Sequence, residues 1–557
     1  MKDKRIPEYN LLHENWLVIR RLDGSKEEIS LLQLFRNAPQ YISLAGESPT
    51  QDIAVLRFLL AVLHGALGGR DIDGVPFPDD EEGQNDGALD LWEALWNNKC
   101  FPYERIEAYL KKHEDRFWLF HPETPFYQVA NIVKGTEYTA SKLNGEILES
   151  SNKPRLFPQR TGNNKLNLGF AEAARWLLHV NGFDDTAAKP SQRGQGMPSP
   201  GAGWLGKLGL ITAVGSNLFE TLMLNFVLLP DNEGEHWGDD RPIWEEPPRI
   251  KERVQVSLPN SQAALLTLQS RRLLLIREGN AVTGYFLLGG DFFPKENALM
   301  ESMTVWRNNA TKESAPPEYV PRRHNPSVQM WRNFAPLVEQ KNGRHRPGIV
   351  SWLKKLKREC KLENPIFRFQ ISGVKYGDKD FFVEDIFSDT LSFNAGLLSA
   401  LHEDWIPRII DELAVTDSLV REVGTLAQNH AKAAGVKDGK NVVRDDGVKA
   451  HDEAKEQAFY RLDGAFRRWL ESIDPEIDDT GEEMERKCRE WWELSKTIVR
   501  ALGREIVEDC SPQALIGRNE WSTPRAYNLF LYKTKNRETL KNKEVLKKGG
   551  AKSGNVE

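Results

Sequence analysis

Near residue 390 the sequence changes character, and one fold class cannot describe both sides of the break. Beyond it, residues 401–413, 418–434, 450–473, 482–501 and 511–540 carry apolar side chains at helical spacing with little strand signal. Leu462, Phe466, Trp469 and Leu470 fall on one such stripe, and Trp491, Trp492, Leu494 and Ile498 on another. Linked antiparallel helices of this length predict an up-and-down bundle over residues 391–545. The tail beyond is basic and ends in Gly549-Gly550 and further small residues, so 546–557 is expected to be disordered.

Before the break the two periodicities alternate. Helices are expected at 51–67, where Ile53, Leu56, Leu59, Leu60 and Leu63 share a face, and at 88–96, 103–112 and 171–180. Residues 26–31 read as entry into another helix, and the acidic, Gly-rich stretch 71–90 as a loop or an insertion. Residues 210–229 read as one buried apolar element. Residues 10–20 read as a short turn into a strand, and strands are expected at 263–268, 271–276 and 282–288, with Glu278-Gly279-Asn280 as a hairpin turn. A second hairpin joins 367–376 to 381–387 through Gly377-Asp378-Lys379-Asp380. The fold class is therefore α+β: a large mixed α/β domain over 1–390, followed by helices. A chain of 557 residues also exceeds what one ordinary core accommodates.

The formal net charge is −6, so a nucleic-acid site on this chain has to be a local patch. The four cysteines, Cys100, Cys360, Cys488 and Cys510, are far apart and form no CxxC pair, which argues against a zinc site or a disulfide framework and fits a reducing cytoplasm. No apolar h-region follows the N-terminal residues and no run approaches 18 apolar residues, so a cytoplasmic protein that spans no membrane is expected.

The stretch Pro200-Gly201-Ala202-Gly203-Trp204-Leu205-Gly206-Lys207 is the most distinctive local motif. A dinucleotide fingerprint would need a preceding strand, and Ser191 to Pro200 cannot supply one. A P-loop would need Ser or Thr where Leu208 stands. The stretch is then either a contact loop or a structural surface loop. Two basic segments without acidic residues flank the short helix at 171–180. One is 152–167, with Lys153, Arg155, Arg160 and Lys165 around Asn163 and Asn164; the other runs from 186 to 209. Such side chains suit phosphates and minor-groove edges, and equally suit a solvated loop. There is no GxSxG, HExxH or complete Walker A motif, and the histidines lie at no ligand spacing. No enzyme, metal or cofactor is expected.

In order along the chain, Asn10-Leu11-Leu12-His13-Glu14-Asn15-Trp16, His121-Pro122-Glu123-Thr124-Pro125-Phe126-Tyr127-Gln128 and Ala171-Glu172-Ala173-Ala174-Arg175-Trp176-Leu177-Leu178 resemble one family. So do Leu268-Gln269-Ser270-Arg271-Arg272-Leu273, Met303-Thr304-Val305-Trp306-Arg307 and the turn Tyr376-Gly377-Asp378. The family is the CasA-type large subunit of the type I-E CRISPR Cascade surveillance complex, and the resemblance covers about residues 9–540. It implies a C-terminal four-helix bundle and a non-catalytic subunit. Such a subunit recognises the protospacer-adjacent motif (PAM) in double-stranded target DNA, promotes strand separation and recruits the helicase-nuclease. Further implied partners are the CRISPR RNA 5′ handle and the small, backbone and handle-binding Cascade subunits. The alternative is a purely structural assembly subunit that grips the guide RNA 5′ end and partner proteins without reading bases.

Carried over by position, the resemblance nominates Asn163, Asn164 and Asn167 in the first loop, and Gly201, Gly203 and Gly206 in the glycine loop. It also nominates Lys295, with Lys312 as a rival, and the hairpin tip with Asp378 and Lys379. Bare backbone at the glycines would lie against base edges where a Cβ would clash. The family's wedge carries glutamine in its best-known members, and this tip has none. Lys379 suits a phosphate, whereas Asp378 and Asp380 would repel DNA. Phosphate contacts are expected from Arg160, Lys165, Lys207, Lys354, Lys355 and Lys357.

Overall fold

The computed structural model describes residues 7–132, 135–147, 160–162, 166–186, 201–231, 235–250, 255–310, 312, 315–340, 343–360, 362, 366–402, 404–435, 446–477, 481–508, 510–518, 520–538 and 540. The chain divides into two compact units. The first comprises Met1–Met330, Pro336–Glu363 and Arg368–Thr390; the second comprises Trp331–Ala335, Asn364–Phe367 and Leu391–Glu557.

The first unit mixes strands and helices. It opens with β1 (Glu8–Asn10), β2 (Leu17–Arg21), β3 (Lys26–Ile29), α1 (Leu31–Asn37) and β4 (Tyr41–Leu44). Residues 26–29, expected to enter a helix, instead pair antiparallel with β2. The Asp23 carboxylate accepts from the Ser25 N–H and hydroxyl, closing the turn, and the Ser30 side chain then caps α1. Next come α2 (Pro49–Leu67), α3 (Glu81–Asn98), α4 (Tyr103–Lys112), β5 (Trp118–Phe120), β6 (Thr136–Thr139), α5 (Ala140–Leu143) and α6 (Phe170–Phe183). The supposed loop at 71–90 becomes helical at Glu81, because Asp80 accepts from the Gly83 N–H and two glutamates favour the positive helix start.

Against the expectation that no such run exists, helix α2 is long and apolar enough to cross a membrane by length and composition. It is largely buried, packs on α4 and α6, and carries a buried Arg57, which makes it a core helix here.

The stretch 210–229 is two elements, β7 (Leu210–Val214) and α7 (Leu218–Asn225). Then follow α8 (Gln262–Leu266), β8 (Arg271–Glu278), β9 (Ala281–Gly289), β10 (Trp306–Asn308) and β11 (Tyr319–Pro321). The expected strand at 263–268 is α8, started by Ser261 accepting from the Ala264 N–H; a four-residue apolar run fits either period. The hairpin at Glu278-Gly279-Asn280 forms as expected, with Arg271 opposite Gly289 and Glu278 opposite Ala281. The remaining elements are α9 (Phe334–Val338), α10 (Gly348–Glu359), β12 (Ile366–Tyr376) and β13 (Val383–Asn394). Three-stranded sheets have the orders β3-β2-β4, β6-β9-β8 and β13-β12-β7.

The second unit is helical: α11 (Trp405–Ala433), α12 (Asp446–Glu471), α13 (Glu482–Glu508), α14 (Pro512–Ile516) and α15 (Thr523–Lys533). Helix α11 packs against α12, α13 and α15. It joins two stretches read as separate helices. Thr416, which lies between those stretches, bonds back to the Glu412 carbonyl at 2.7 Å and accepts from Trp491 Nε1 at 2.9 Å. The helix expected over 511–540 is instead broken at Gly517, whose φ is +90°. Trp331, Phe466, Trp469 and Trp491 form an aromatic cluster with ring centroids 4.5–5.5 Å apart.

Candidate nucleic-acid interface

Three segments distant in sequence meet at the C-terminal end of α6: residues 184–186, the glycine stretch 201–209 and the tip of the β12–β13 hairpin. Each junction is a specific bond. Gly203 N–H donates to the Asp184 carbonyl at 2.9 Å. Arg271 gathers the same turn, donating to Asp184 Oδ2 at 2.5 Å, to the Asp185 carbonyl at 2.9 Å and to the Gly201 carbonyl at 2.7 Å. Lys142 pairs with the buried Asp185 at 2.6 Å. The two aspartates that open this loop are thus committed to internal cations.

Trp204 points inward. Its Nε1 donates to Glu301 at 2.8 Å, and Glu301 is held bidentate by Arg57 at 2.7 and 2.9 Å, all three side chains being buried. The indole also packs on Phe293 with centroids 4.3 Å apart, two residues before the exposed Lys295. Lys295 is thereby carried on a segment that adjoins the glycine stretch.

The glycines have a different physical reason from the one expected. A Cβ on Gly203 would lie 2.4 Å from the Gly182 carbonyl oxygen, and one on Gly206 would lie 2.1 Å from the Tyr376 hydroxyl. Both residues are buried. Their bare faces are filled by α6 and by the hairpin, so these two are close-packing glycines and not an open platform. Gly201 is half-buried with φ +65° and lies beside the Lys207 stem.

Tyr376 ends β12 and joins the same junction. Its hydroxyl donates to the Phe183 carbonyl at 2.6 Å, and burial raises its pKa, so it remains the donor. Beyond it the tip turns through Lys379 and Asp380, both at positive φ (+51° and +60°). Asp378 and Lys379 are exposed. The expected repulsion from Asp380 is corrected by a partner: Arg323 holds its carboxylate bidentate at 2.8 and 2.9 Å. Thr186 completes the attachment, its hydroxyl donating to the Lys379 carbonyl at 2.8 Å and its N–H to the Asp380 carbonyl at 2.9 Å.

The other nominated residues lie elsewhere. Asn167 is exposed just before α6, next to the bridge between Leu168 and Val282. Arg160 pairs with Glu172 in the first turn of α6, with one contact at 3.0 Å, so it is engaged internally rather than offered to phosphate. Helix α6 has 14 residues, and at 1.5 Å per residue roughly 20 Å separates this end from the glycine junction. Lys354, Lys355 and Lys357 stand on α10, where Lys355 donates to Asn85 of α3 at 3.3 Å. Lys312 is exposed. Asn163, Asn164 and Lys165 lie outside the described residues. Arg323, Thr186 and Glu301 were not nominated; the adjacent Arg322-Arg323 pair was the one local signal for the first of them.

Among the described residues no group of three or more His, Cys, Asp or Glu could hold a metal ion. His179, buried, bonds the Thr50 hydroxyl at 3.1 Å, and His324 bonds the Leu210 carbonyl at 3.0 Å.

The family described as CRISPR-associated protein Cse1 matches residues 10–502. A curated relative, CRISPR-associated protein CasA/Cse1 of Thermus thermophilus, is 28% identical over 515 residues, covering 90% of this chain and 95% of the relative. The crystal structure of Thermobifida fusca Cse1 superposes with a TM-score of 0.78 at 29% identity, covering 96% of this chain and 98% of the other. A chain of a CRISPR RNA-guided surveillance complex shares the fold at 15% identity, with a TM-score of 0.68 and coverage of 95% and 100%. The chain belongs to the CRISPR-associated Cse1 family, the CasA-type large subunits of Cascade.

Proposed function

We propose that this subunit reads the PAM of duplex DNA for an RNA-guided surveillance complex and takes no catalytic part. The observation that carries this is the junction at the end of α6, where the glycine stretch and the hairpin tip are bonded into one body that exposes Lys379. Lys295 extends from the segment packed on Trp204, and Lys207 lies in the glycine stretch itself. Cations and a rigid tip on one body can grip phosphates while the tip enters beside a base pair. Guide RNA would read the protospacer by base pairing, and the protein only a short tag. Strand separation at the tip, recruitment of a helicase-nuclease and contacts with the guide RNA 5′ handle and the other Cascade subunits belong to the same proposal.

The test is duplex binding by the guide-loaded complex, with and without this subunit, on targets that differ only in the PAM. PAM-dependent binding weakened by Lys379→Ala and Lys295→Ala supports the reading. An equal gain for every PAM would reduce the subunit to a basic clamp. Gly203→Asp is unsuited to this test, because the side chain would collide with the α6 backbone. That burial favours a second reading for the glycines themselves, in which the stretch is architectural and base contacts come only from neighbouring side chains.

A further inference from the structure

Two consecutive residues other than glycine in the left-handed region, Lys379 and Asp380, are an uncommon way to close a hairpin. Sterics disfavour that conformation for L-residues, so the surroundings must impose it. The turn contributes Asp380 N–H to the Gly377 carbonyl at 3.0 Å, Phe381 N–H to the Asp378 carbonyl at 3.1 Å and Gly377 N–H to the Phe382 carbonyl at 2.9 Å. Further restraint comes from outside the hairpin. Thr186 binds the carbonyls of both left-handed residues, and Arg323 binds the Asp380 carboxylate with two parallel bonds. The Arg323 guanidinium also lies 5.0 Å from the Tyr376 ring centroid. Arg323 is itself anchored on both sides: Arg322 N–H donates to the Val305 carbonyl at 2.8 Å, and His324 bonds the Leu210 carbonyl.

We infer that Arg323 is the positioning residue of the hairpin tip: through Asp380 it fixes the left-handed turn that presents Lys379, and it masks a carboxylate that would otherwise face DNA phosphates. The inference rests on the DNA-reading function proposed above. It gives a reason for an acidic residue at a tip meant for nucleic acid. Asp380 serves as the handle by which Arg323 grips the turn, and its charge is cancelled where it stands. The pair is about one-third exposed on each side, so removing it should leave the fold intact.

Two measurements decide it, on the full chain and on the guide-loaded complex. Amide hydrogen exchange of the free subunit reads the turn directly. Arg323→Ala and Asp380→Asn should each lose protection at Thr186 and at residues 380–381, while β8 and β9 keep theirs. Unchanged protection at the tip would overturn the inference whatever the protein binds. The second measurement is duplex affinity against salt. Lys379→Ala should lower the salt slope by about one unit, the signature of one lost phosphate contact. Arg323→Ala should weaken binding by about three- to tenfold, and in an Asp380→Asn background, which has no carboxylate left to grip or to unmask, it should add no further loss of affinity or slope. Additive slopes would overturn the inference by making Arg323 a direct phosphate contact. Arg323→Lys keeps the charge without the two-pronged grip, so it should restore at most part of the affinity. Should the wild-type subunit add no DNA affinity at all, the functional reading fails, and the exchange data still decide whether Arg323 sets the turn.

Discussion

Glu301 shows how much a single side chain holds at the junction. It is fully buried and accepts two bonds from Arg57 and one from Trp204. Removing it would leave a guanidinium in the core with no counter-charge, which costs more than the pair contributes. We expect Glu301→Gln to lower stability by about 3–5 kcal/mol in urea unfolding. The double variant Arg57→Met with Glu301→Leu should recover most of that, because an apolar pair has no charge to strand. A double variant as unstable as the single one would contradict this account. None of this was legible in the sequence. The partners stand 244 positions apart, and neither has a local pattern that names the other. The glycines were legible as unusual, but whether a missing Cβ faces solvent or backbone is a tertiary fact. The same holds for Asp380, which reads as repulsive until Arg323, 57 positions away, is placed beside it.

At the level of elements, segments with one clear period were legible. The β8–β9 hairpin, the β12–β13 hairpin and α6 follow from periodicity and turn residues lying within a dozen positions of one another. Failures came where a capping residue outweighed the apolar pattern. Residues 210–229 are apolar enough to look continuous, yet Ser216 and Asn217 cut them. The Asn217 side chain accepts from the Glu220 N–H at 2.9 Å, while Glu220 reaches back to the Ser216 N–H at 2.7 Å, a reciprocal cap that starts α7. Asn225, at the end of α7, donates to the Ala213 carbonyl of β7 at 2.6 Å, so the helix start also sets how α7 lies on the strand. We expect Asn217→Ala to cost about 1 kcal/mol, read as a lower urea midpoint with unchanged slope, and Asn217→Ser to be nearly neutral. In the helical unit Thr416 returns its hydroxyl to the backbone four residues earlier, and α11 continues across the gap expected between 413 and 418.

Across the whole first unit, buried titratable groups set a dependence on pH that the modest net charge conceals. Burial lowers the His64 pKa to about 3 and those of His179 and His324 to about 4. An unfolded histidine titrates near 6.5. Between that value and about 4 the unfolded chain therefore binds protons that the folded chain refuses, so stability falls as pH falls through this window. Asp52 works in the opposite direction. Burial raises its pKa to about 6, so on acidification below that value the folded chain takes up a proton before the unfolded one does. Burial also lowers the pKa of His113 and of His345, so one such group opposes five, and the net expectation is acid destabilisation. The urea midpoint should drop between about pH 6.5 and pH 4.5, and His324→Gln, which keeps a donor for the Leu210 carbonyl, should make the drop shallower. A midpoint that holds steady or rises over that range would mean that these histidines gain counter-charges in the folded unit. Because His324 directly follows Arg323, acidification should also loosen the hairpin tip before the unit unfolds. The exchange protection at Thr186 should then fade at a higher pH than the protection of β8 and β9.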